Sequence, residues 1–442
     1  MITQPAARRV EERAATQAVE VLTLLLGEPR EYAIRLWNGA VVGAAGAARF
    51  TLALNHPGTL RRMFVPPSDL RLGEAYICDD FDVQGDLEAA ITAIVRAVTT
   101  PRPAREWARL ALHALMLPRL PRPDPAPPRA HLRGRVHSLA RDRAAARHHY
   151  DVGNDFYALW LDHRMVYSCA YFPTSAGDLD VAQEAKLEHI CRKLRLQPGE
   201  RLLDIGCGWG SLVLHAAQRY DVQALGVTLS APQARWANQH IAEAGLKDRC
   251  RVEVRDYREV DESLFDKIVS VGMFEHVGRS RLPEYFGRAW ALLRPGGLFL
   301  NHGISGRPVP PIWRRLGRRA SFINAHVFPD GDLVSVSDAL VAAEAAGFEV
   351  RDVEGLREHY ARTLRLWVQR LQARRDEAVA LVGEMKFRTW RIFMAGCAHA
   401  FADGRISVFQ SLLAKPDAAG TVPLPWSRAD VYATRDAPAL PS

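Results

Sequence analysis

Chemistry could sit first of all at Leu202-Leu203-Asp204-Ile205-Gly206-Cys207-Gly208-Trp209-Gly210. An apolar run ends in an acid, glycines follow at alternate positions, and a helical pattern begins at Ser211. This reads as a buried strand, a tight turn and a helix N-terminus. Glycine lets the backbone approach a ligand that a Cβ would exclude. The unpaired N–H groups at the helix start favour an anionic group. A dinucleotide turn wants G-x-G-x-x-G and an acid about twenty residues further on. Here the third glycine comes one residue early, and the next strand ends Leu225-Gly226-Val227-Thr228-Leu229-Ser230 without an acid. The spacing therefore disfavours a dinucleotide. A glycine turn with no ligand is the plain alternative.

Further candidates end later strands of the same pattern, where ligands of an α/β sheet gather. Asp256 is placed to accept from an adenine exocyclic amine with Tyr257 beside the ring; a solvated loop acid is the alternative. Glu275 and His276 stand together in Val271–Gly278, with Glu275 the favoured functional residue and His276 undecided. His302 ends the buried-type strand Leu298-Phe299-Leu300-Asn301-His302. A lone histidine there is more often a satisfied core residue, but it falls at the same sheet edge as Gly206, Asp256 and Glu275. Two aromatic, turn-rich stretches, His149–Tyr157 and Met165–Phe172, precede the sheet. They are expected either to close over a cofactor as a lid or to pack on the sheet as an irregular layer. Ile312–Arg319 joins Trp313 to four arginines, as a face for anionic headgroups or as a solvated insertion.

The elements that must hold these residues follow from pattern. Strands are expected at Arg201–Ile205, Gln223–Val227, Cys250–Val254, Lys267–Val271, Leu298–His302, Phe348–Val353 and Ile406–Leu413. Helices are expected at Glu184–Leu194, about 211–219, 231–244 and 281–293, and at Ser335–Ala346, Thr363–Gly383 and Phe387–Ala402. The fold class is α/β, Rossmann-like, with a mostly parallel seven-stranded sheet. Before it, residues 1–100 form a small α+β domain, with a hairpin signal at Asn38-Gly39 and helices at Leu72–Tyr76 and Ile91–Val98. Residues 101–147 are a Pro/Arg-rich basic linker. Its prolines from 121 to 128 forbid a continuous helix. Trp107–Leu117 before them suits either an interfacial or a packing helix. The catalytic domain spans 148–416, and a Pro/Ala-rich, poorly ordered tail spans 417–442.

The 442 residues carry a net charge of +8, and the stretch from Pro101 to Tyr150 alone holds eleven arginines against three acids. Such a segment suits a phosphate-bearing partner or plain solvation. The six cysteines show no C-x-x-C pair, so reduced thiols and no metal centre are expected. No apolar run is long enough to span a bilayer. The expected location is cytoplasmic.

Asp204–Gly210, as Asp-x-Gly-x-Gly-x-Gly, resembles motif I of the class I methyltransferases that use S-adenosylmethionine (SAM). Read with His149–Tyr157, Tyr167-Ser168-Cys169, Gly226–Ser230 with Gln233, Asp256-Tyr257-Arg258, Val271–Gly278, His302, His359–Leu364 and Cys397–Phe401, the chain resembles the cyclopropane-fatty-acyl-phospholipid and mycolic acid cyclopropane synthases. The likeness runs from His148 to Pro416. A weaker one, through Leu72–Tyr76 and domain order, ties the first hundred residues to the N-terminal domain of the phospholipid-acting branch.

The resemblance implies SAM contacts at Tyr167, Ser168, Gly206, Gly208, Thr228, Gln233, Asp256 and Tyr257. It implies a bicarbonate ion beside the SAM methyl, held by Cys169 through its backbone, Glu275, His302 and Tyr360. The implied reaction adds the SAM methyl carbon to a cis double bond of an unsaturated phospholipid acyl chain, with bicarbonate as the base that closes a cyclopropane ring. Implied partners are the acyl chains and an anionic membrane surface at the inner face, with no nucleic acid; a homodimer is allowed. Asn301-His302-Gly303 departs from the Leu-His-Thr of many members, and Arg351 from an acidic position. Alternatives are a methyl-branched or methylene product, a small-molecule N-methyltransferase, or a non-catalytic lipid- or nucleic-acid-binding module.

Overall fold

The computed structural model describes residues 4–432 except 29–30, 44–47, 119, 121–126, 128, 131, 175, 263 and 308–320, with side chains from residue 11 onwards. The expected Trp- and Arg-rich surface at Ile312–Arg319 and most of the proline run therefore lie outside the described residues. Two compact units emerge, neither contiguous in sequence. One gathers residues 1–131, 316–327 and 375–399; the other gathers 132–315, 328–374 and 400–442.

The second unit is built on seven strands: β5 Arg201–Ile205, β6 Gln223–Thr228, β7 Cys250–Val254, β8 Phe265–Val271, β9 Leu293–Gly306, β10 Glu349–Gly355 and β11 Ile406–Ala414. Their order is β10-β11-β9-β8-β5-β6-β7, parallel from β9 to β7, with β11 antiparallel to both β9 and β10. The central strands are buried on both faces, which is why Leu202, Leu203, Ile268, Val269 and Leu300 read as unbroken apolar runs. The order reverses at β5, where β6 and β8 lie on opposite sides. That is the topological switch point at which α/β sheets bind ligands beyond their strand ends. The α/β class and the seven-stranded sheet thus match the sequence reading.

Helical boundaries differ in one informative place. The expected helix Thr363–Gly383 is two helices, Arg357–Ala373 and Arg375–Val382. The first starts six residues early and so carries Tyr360 in its opening turn. Within the expected tail, the described residues 417–432 make ordered contacts. Val422 and Leu424 pack on the sheet core, and Val431 is buried in the short helix Ala429–Tyr432.

The first unit holds a four-stranded sheet, order β2-β1-β3-β4: β1 Tyr32–Arg35, β2 Val41–Gly43, β3 Phe50–Leu54 and β4 Phe81–Gly85. Gly39, at φ +85°, makes the expected hairpin turn. Helices Gln4–Leu26, Asp69–Ile77 and Leu87–Thr99 belong to this unit. Arg388 ties in the returning segment 375–399, giving hydrogen bonds to the carbonyls of Tyr76 and Phe81, each 2.7 Å. Among the described residues no helix is long and apolar enough to cross a membrane.

Candidate functional site

The glycine turn is held by the strand beside it. The amides of Gly206 and Cys207 both donate to the carbonyl of Val227 on β6, at 2.9 and 3.0 Å. Gly206, Gly208 and Gly210 all have positive φ, +79°, +55° and +75°. The outer two are also crowded: a Cβ on Gly206 would meet Met273 at 2.7 Å, and one on Gly210 would meet Ala237 at 2.8 Å. A Cβ on Gly208 would meet nothing within 4 Å, because it would project into open space.

That space is a cleft of about 1360 Å³, mouth included. All eight residues expected to contact SAM line it: Tyr167, Ser168, Gly206, Gly208, Thr228, Gln233, Asp256 and Tyr257. Thr228 donates to Oε1 of Gln233 at 2.8 Å. This leaves the buried Nε2 of Gln233 with no partner among the described residues. Asp256 is engaged more heavily than expected of an adenine acceptor. Its Oδ1 accepts from the amide and Nε of Arg258, at 3.0 and 2.8 Å, and its Oδ2 from Nη2 at 2.7 Å. Oδ2 keeps a lone pair for a further donor. His149–Tyr157 both lines the cleft and packs on its surroundings. Tyr150 lines the cleft, His149 stacks on Phe328 at 3.7 Å, and Asn154 accepts from Trp209 at 3.0 Å.

Sequence reasoning expected the helix beneath this cleft at Glu184–Leu194; it begins five residues earlier, as Leu179–Leu194, and the roles of Gln183 and Lys186 on it were missed. Gln183 donates to the carbonyls of Val166 and Ser168, and Lys186 donates to the Ser168 hydroxyl at 2.9 Å. Burial pushes the Lys186 amine down to about 8 and the Asp204 carboxyl up to about 7, the latter opposed by Lys186. Oδ1 of Asp204 has no hydrogen-bond partner among the described residues. One signal was available: Lys186 stands among Ala182, Leu187, Ile190 and Leu194 on the buried side of the helix. Open space over Gly208, an orphaned amide donor, an orphaned carboxylate acceptor and aromatic faces together suit a sulfonium nucleoside with an amino-acid tail.

The four candidate catalytic residues do not line the cleft, but their chain neighbours Ser168 and His276 do. Glu275 follows β8 in a short turn of 3₁₀ helix. Its Oε1 accepts from the Ile304 amide at 2.6 Å, and its Oε2 has no partner among the described residues. Burial raises its carboxyl to about 7. His302 lies on β9 between Val271 of β8 and Gln410 of β11. Its Nδ1 lies 3.2 Å from Nε2 of Gln410; with the amide so turned Nδ1 accepts and the ring proton falls on Nε2, which is buried and unpartnered among the described residues. Burial, then Lys186 and Lys193, push this ring down to about 3.

Cys169 and Tyr360 meet at one carbonyl. The Cys169 thiol points to the carbonyl of Leu356 at 3.7 Å, and the Tyr360 amide donates to the same oxygen at 3.1 Å. The Leu356 amide donates to Val408 of β11, two residues from Gln410. Burial raises the Cys169 thiol, so it is no thiolate nucleophile. A carboxyl, an imidazole N–H and a phenol-bearing helix start are thus tied to one strand, β11, and its neighbour β9. Gln410 is a second residue the sequence reading missed; its signal was a polar residue at an inward position of a buried strand.

His276 is half-buried, lines the cleft, lies 3.3 Å from the Tyr150 hydroxyl, and its ring is lowered to about 4 mainly by desolvation. The departures have physical partners. Asn301 accepts from the Tyr285 hydroxyl at 2.8 Å, and a Cβ on Gly303 would meet the Phe274 ring at 2.8 Å. Arg351 pairs with Glu349. Among the described residues, Asp162, His163 and Asp180 form one group with metal-ligand spacing, but backbone amides and Arg370 already engage its acids.

A family model described as mycolic acid cyclopropane synthetase matches residues 137–411. The chain is 40% identical over 404 residues, 90% of its own length and 95% of the relative's, to a probable fatty acid methyltransferase of Pseudomonas putida. It is 40% identical over 269 residues, 59% of this chain and 93% of the relative, to cyclopropane mycolic acid synthase 1 of Mycobacterium tuberculosis. The solved mycolic acid cyclopropane synthase CmaA1, complexed with SAH and CTAB, matches with a TM-score of 0.57 and 38% identity, covering 61% of this chain and 97% of that one.

Proposed function

The chain belongs to the mycolic acid cyclopropane synthetase family and is a SAM-dependent methyltransferase; on that premise we propose that it acts as a cyclopropane-fatty-acyl-phospholipid synthase. The alkene of an unsaturated phospholipid acyl chain takes the SAM methyl carbon, S-adenosylhomocysteine leaves, and a proton is lost as the ring closes. Bicarbonate, when bound, supplies a small base for that proton. Two features favour phospholipid chains. The likeness to the probable fatty acid methyltransferase covers 90% of this chain. Residues 1–100, set apart in the sequence as an N-terminal domain, fall inside the unit that is not the methyltransferase sheet.

One observation carries the base assignment. Glu275 Oε2 and His302 Nε2 are buried polar atoms without partners among the described residues, on residues tied to neighbouring positions of β9. Buried polar groups are nearly always paired, so an orphaned pair calls for a polar ligand. An anion suits them. His302 is neutral and offers an N–H, and Glu275, raised to about 7, retains a proton for much of the time at neutral pH and can donate it too. Tyr360 adds a hydroxyl, and Cys169 its backbone. A protein carboxylate beside a carbocation would risk alkylation; a hydrogen-bonded anion also stabilises the cation electrostatically.

In this reading Thr228, Gln233, Asp256 and Tyr257 hold the nucleoside and amino-acid parts of SAM, Gly206 and Gly208 let it approach, and Tyr167 and Ser168 flank the methyl. The work is done at the face of an anionic membrane, with no nucleic acid involved. Lipids from cells expressing the protein test the reading by mass spectrometry. The expected gain is one methylene per modified chain, with ring-type fragmentation. Branched or methylene fragmentation would move the assignment to the fatty acid methyltransferase alternative, which the altered Asn301 and Gly303 keep in view. No change in the lipids would overturn both.

A further inference from the structure

The helix Ala104–Met116 has two unlike sides. Ala114 on one side is buried, as is Leu117 just beyond, and His113 on that side reaches Glu20 of the helix Gln4–Leu26 at 3.2 Å. The opposite side carries Ala108, Ala111, Leu112, Leu115 and Met116. Leu112 is 58% exposed, Leu115 54% and Met116 48%. Such apolar exposure, concentrated in one turn, is unlike the scattered leucines of an ordinary surface. Arg105 and Arg109, both exposed, continue the stripe of Leu112 and Met116 towards the helix N-terminus. Trp107, 40% exposed, marks the edge of the same face, while the helix's one acid, Glu106, lies on the other side.

Resting on the lipid reading above, we infer that the exposed face of Ala104–Met116 is a docking surface for an anionic phospholipid bilayer, with Leu112, Leu115 and Met116 entering the acyl boundary and Arg105 and Arg109 at the level of the phosphates. Interfacial helices lie in the plane of the membrane with their apolar side about 5–10 Å below the headgroups, and long arginine side chains on that side reach back to the phosphates. The indole of Trp107 suits the boundary between. A second copy of the chain fits less well. The face is about 20 Å long and one helix wide, far short of the roughly 800 Å² per partner of a stable dimer. A symmetric contact would also set these arginines against each other. Nucleic acid would take the arginines but leave the leucines and methionine in water.

The test is flotation of the full chain with vesicles of phosphatidylcholine alone and of phosphatidylcholine with phosphatidylglycerol. Wild type is expected to float with the anionic vesicles. Leu112→Ser, Leu115→Ser and Met116→Ser together should lower partitioning by more than about tenfold, since each apolar side chain withdrawn forfeits its transfer energy. Arg105→Glu with Arg109→Glu should lose the preference for phosphatidylglycerol and its salt dependence. Calorimetric SAM affinity should stay at the wild-type value in both variants, showing that the sheet unit is intact. Should the serine variant lose its SAM affinity, the charge-reversal pair decides alone. Serine and charge-reversed variants that float as well as wild type overturn the inference while leaving the membrane reading in place. A variant that floats normally but changes sedimentation mass gives the face to a second copy, and one that loses only binding to a nucleic-acid duplex gives it to that. Wild type that methylates detergent-dispersed lipid but floats with neither vesicle overturns the inference and the membrane reading together.

Discussion

His302 offers an N–H rather than a charge. Its ring is pushed down to about 3, mainly by burial, and Gln410 occupies Nδ1. The proton is therefore fixed on Nε2 by a residue that touches no reactant. Gln410→Glu should draw the proton to Nδ1 and leave Nε2 a bare acceptor facing an anion. Turnover should fall by about 10²-fold, within the usual worth of a positioned proton-transfer group, while the calorimetric Kd for SAM changes little. Equal loss of both would mean that Gln410 only supports the fold. Tyr360→Phe should behave alike: lower turnover, retained SAM affinity. Glu275 makes a separate prediction through pH. Its carboxyl stands at about 7 in the fold against an ordinary 4.5, because burial disfavours the charged form. A carboxyl raised on folding stabilises the protein at acid pH, and that contribution is lost as pH rises through 4.5 towards 7. Glu275→Gln should thus raise Tm at pH 8, by on the order of 1–3 kcal/mol of stability, and change it little at pH 4. The same substitution should flatten any fall in turnover above neutral pH, measured at fixed bicarbonate.

Elements separate what a glycine does for a ligand from what it does for packing. Gly208 and Gly226 stand close in the chain and differ in their surroundings. A Cβ on Gly208 enters open cleft, whereas one on Gly226 meets Cys207 Sγ at 2.7 Å and Val213 at 2.9 Å. Gly208→Ala should therefore weaken SAM binding at least about tenfold, with a stability cost near the 1–2 kcal/mol of a left-handed alanine. Gly226→Ala should cost about 1–3 kcal/mol through overpacking, and any loss of SAM affinity should be secondary. Calorimetry and thermal denaturation of the pair separate the two roles.

Legibility follows the same division. The strands β5, β6, β8 and β9 were readable because burial leaves near-continuous apolar runs, and the edge strand β7 because its residues alternate. The eight cleft residues were carried as a set by the family resemblance; pattern alone singled out Gly206, Gly208, Asp256 and Tyr257, which follow strand ends. Arg357–Ala373 was misplaced because its first turn, Arg357-Glu358-His359-Tyr360, is polar, and apolar periodicity starts only beyond it. Lys186 and Gln410 were lost for the converse reason: polar residues set among apolar ones on a buried face are treated by local pattern as noise. The capture of Asp256 by Arg258 was also hidden, because an acid two residues from an arginine does not disclose where the guanidinium turns.

At the scale of the molecule, the sequence could not disclose that segments 316–327 and 375–399 return to the first unit, because helical patterns carry no address. The contacts that bring them back are specific. Arg388 is 5% exposed, lies 4.3 Å over the Tyr76 ring, satisfies the Tyr76 and Phe81 carbonyls, and faces Asp79 and Asp82 at 3.3 and 3.4 Å. Removing it would leave two carbonyls and the acids without that cation. Breaking a buried charge pair from one side typically costs about 3–5 kcal/mol. Gly73 fixes the other segment, since a Cβ there would fall 2.2 Å from the Phe322 ring. Two units with separate cores need not unfold together. Arg388→Ala should therefore bring forward a first thermal transition, detectable by proteolysis within residues 32–99, at a temperature where calorimetry still finds SAM bound to the sheet unit. Gly73→Ala should move the same transition by a smaller amount. If either substitution shifted one single transition and abolished SAM binding with it, the chain would unfold as one cooperative body, and the division into two units would lose its energetic basis.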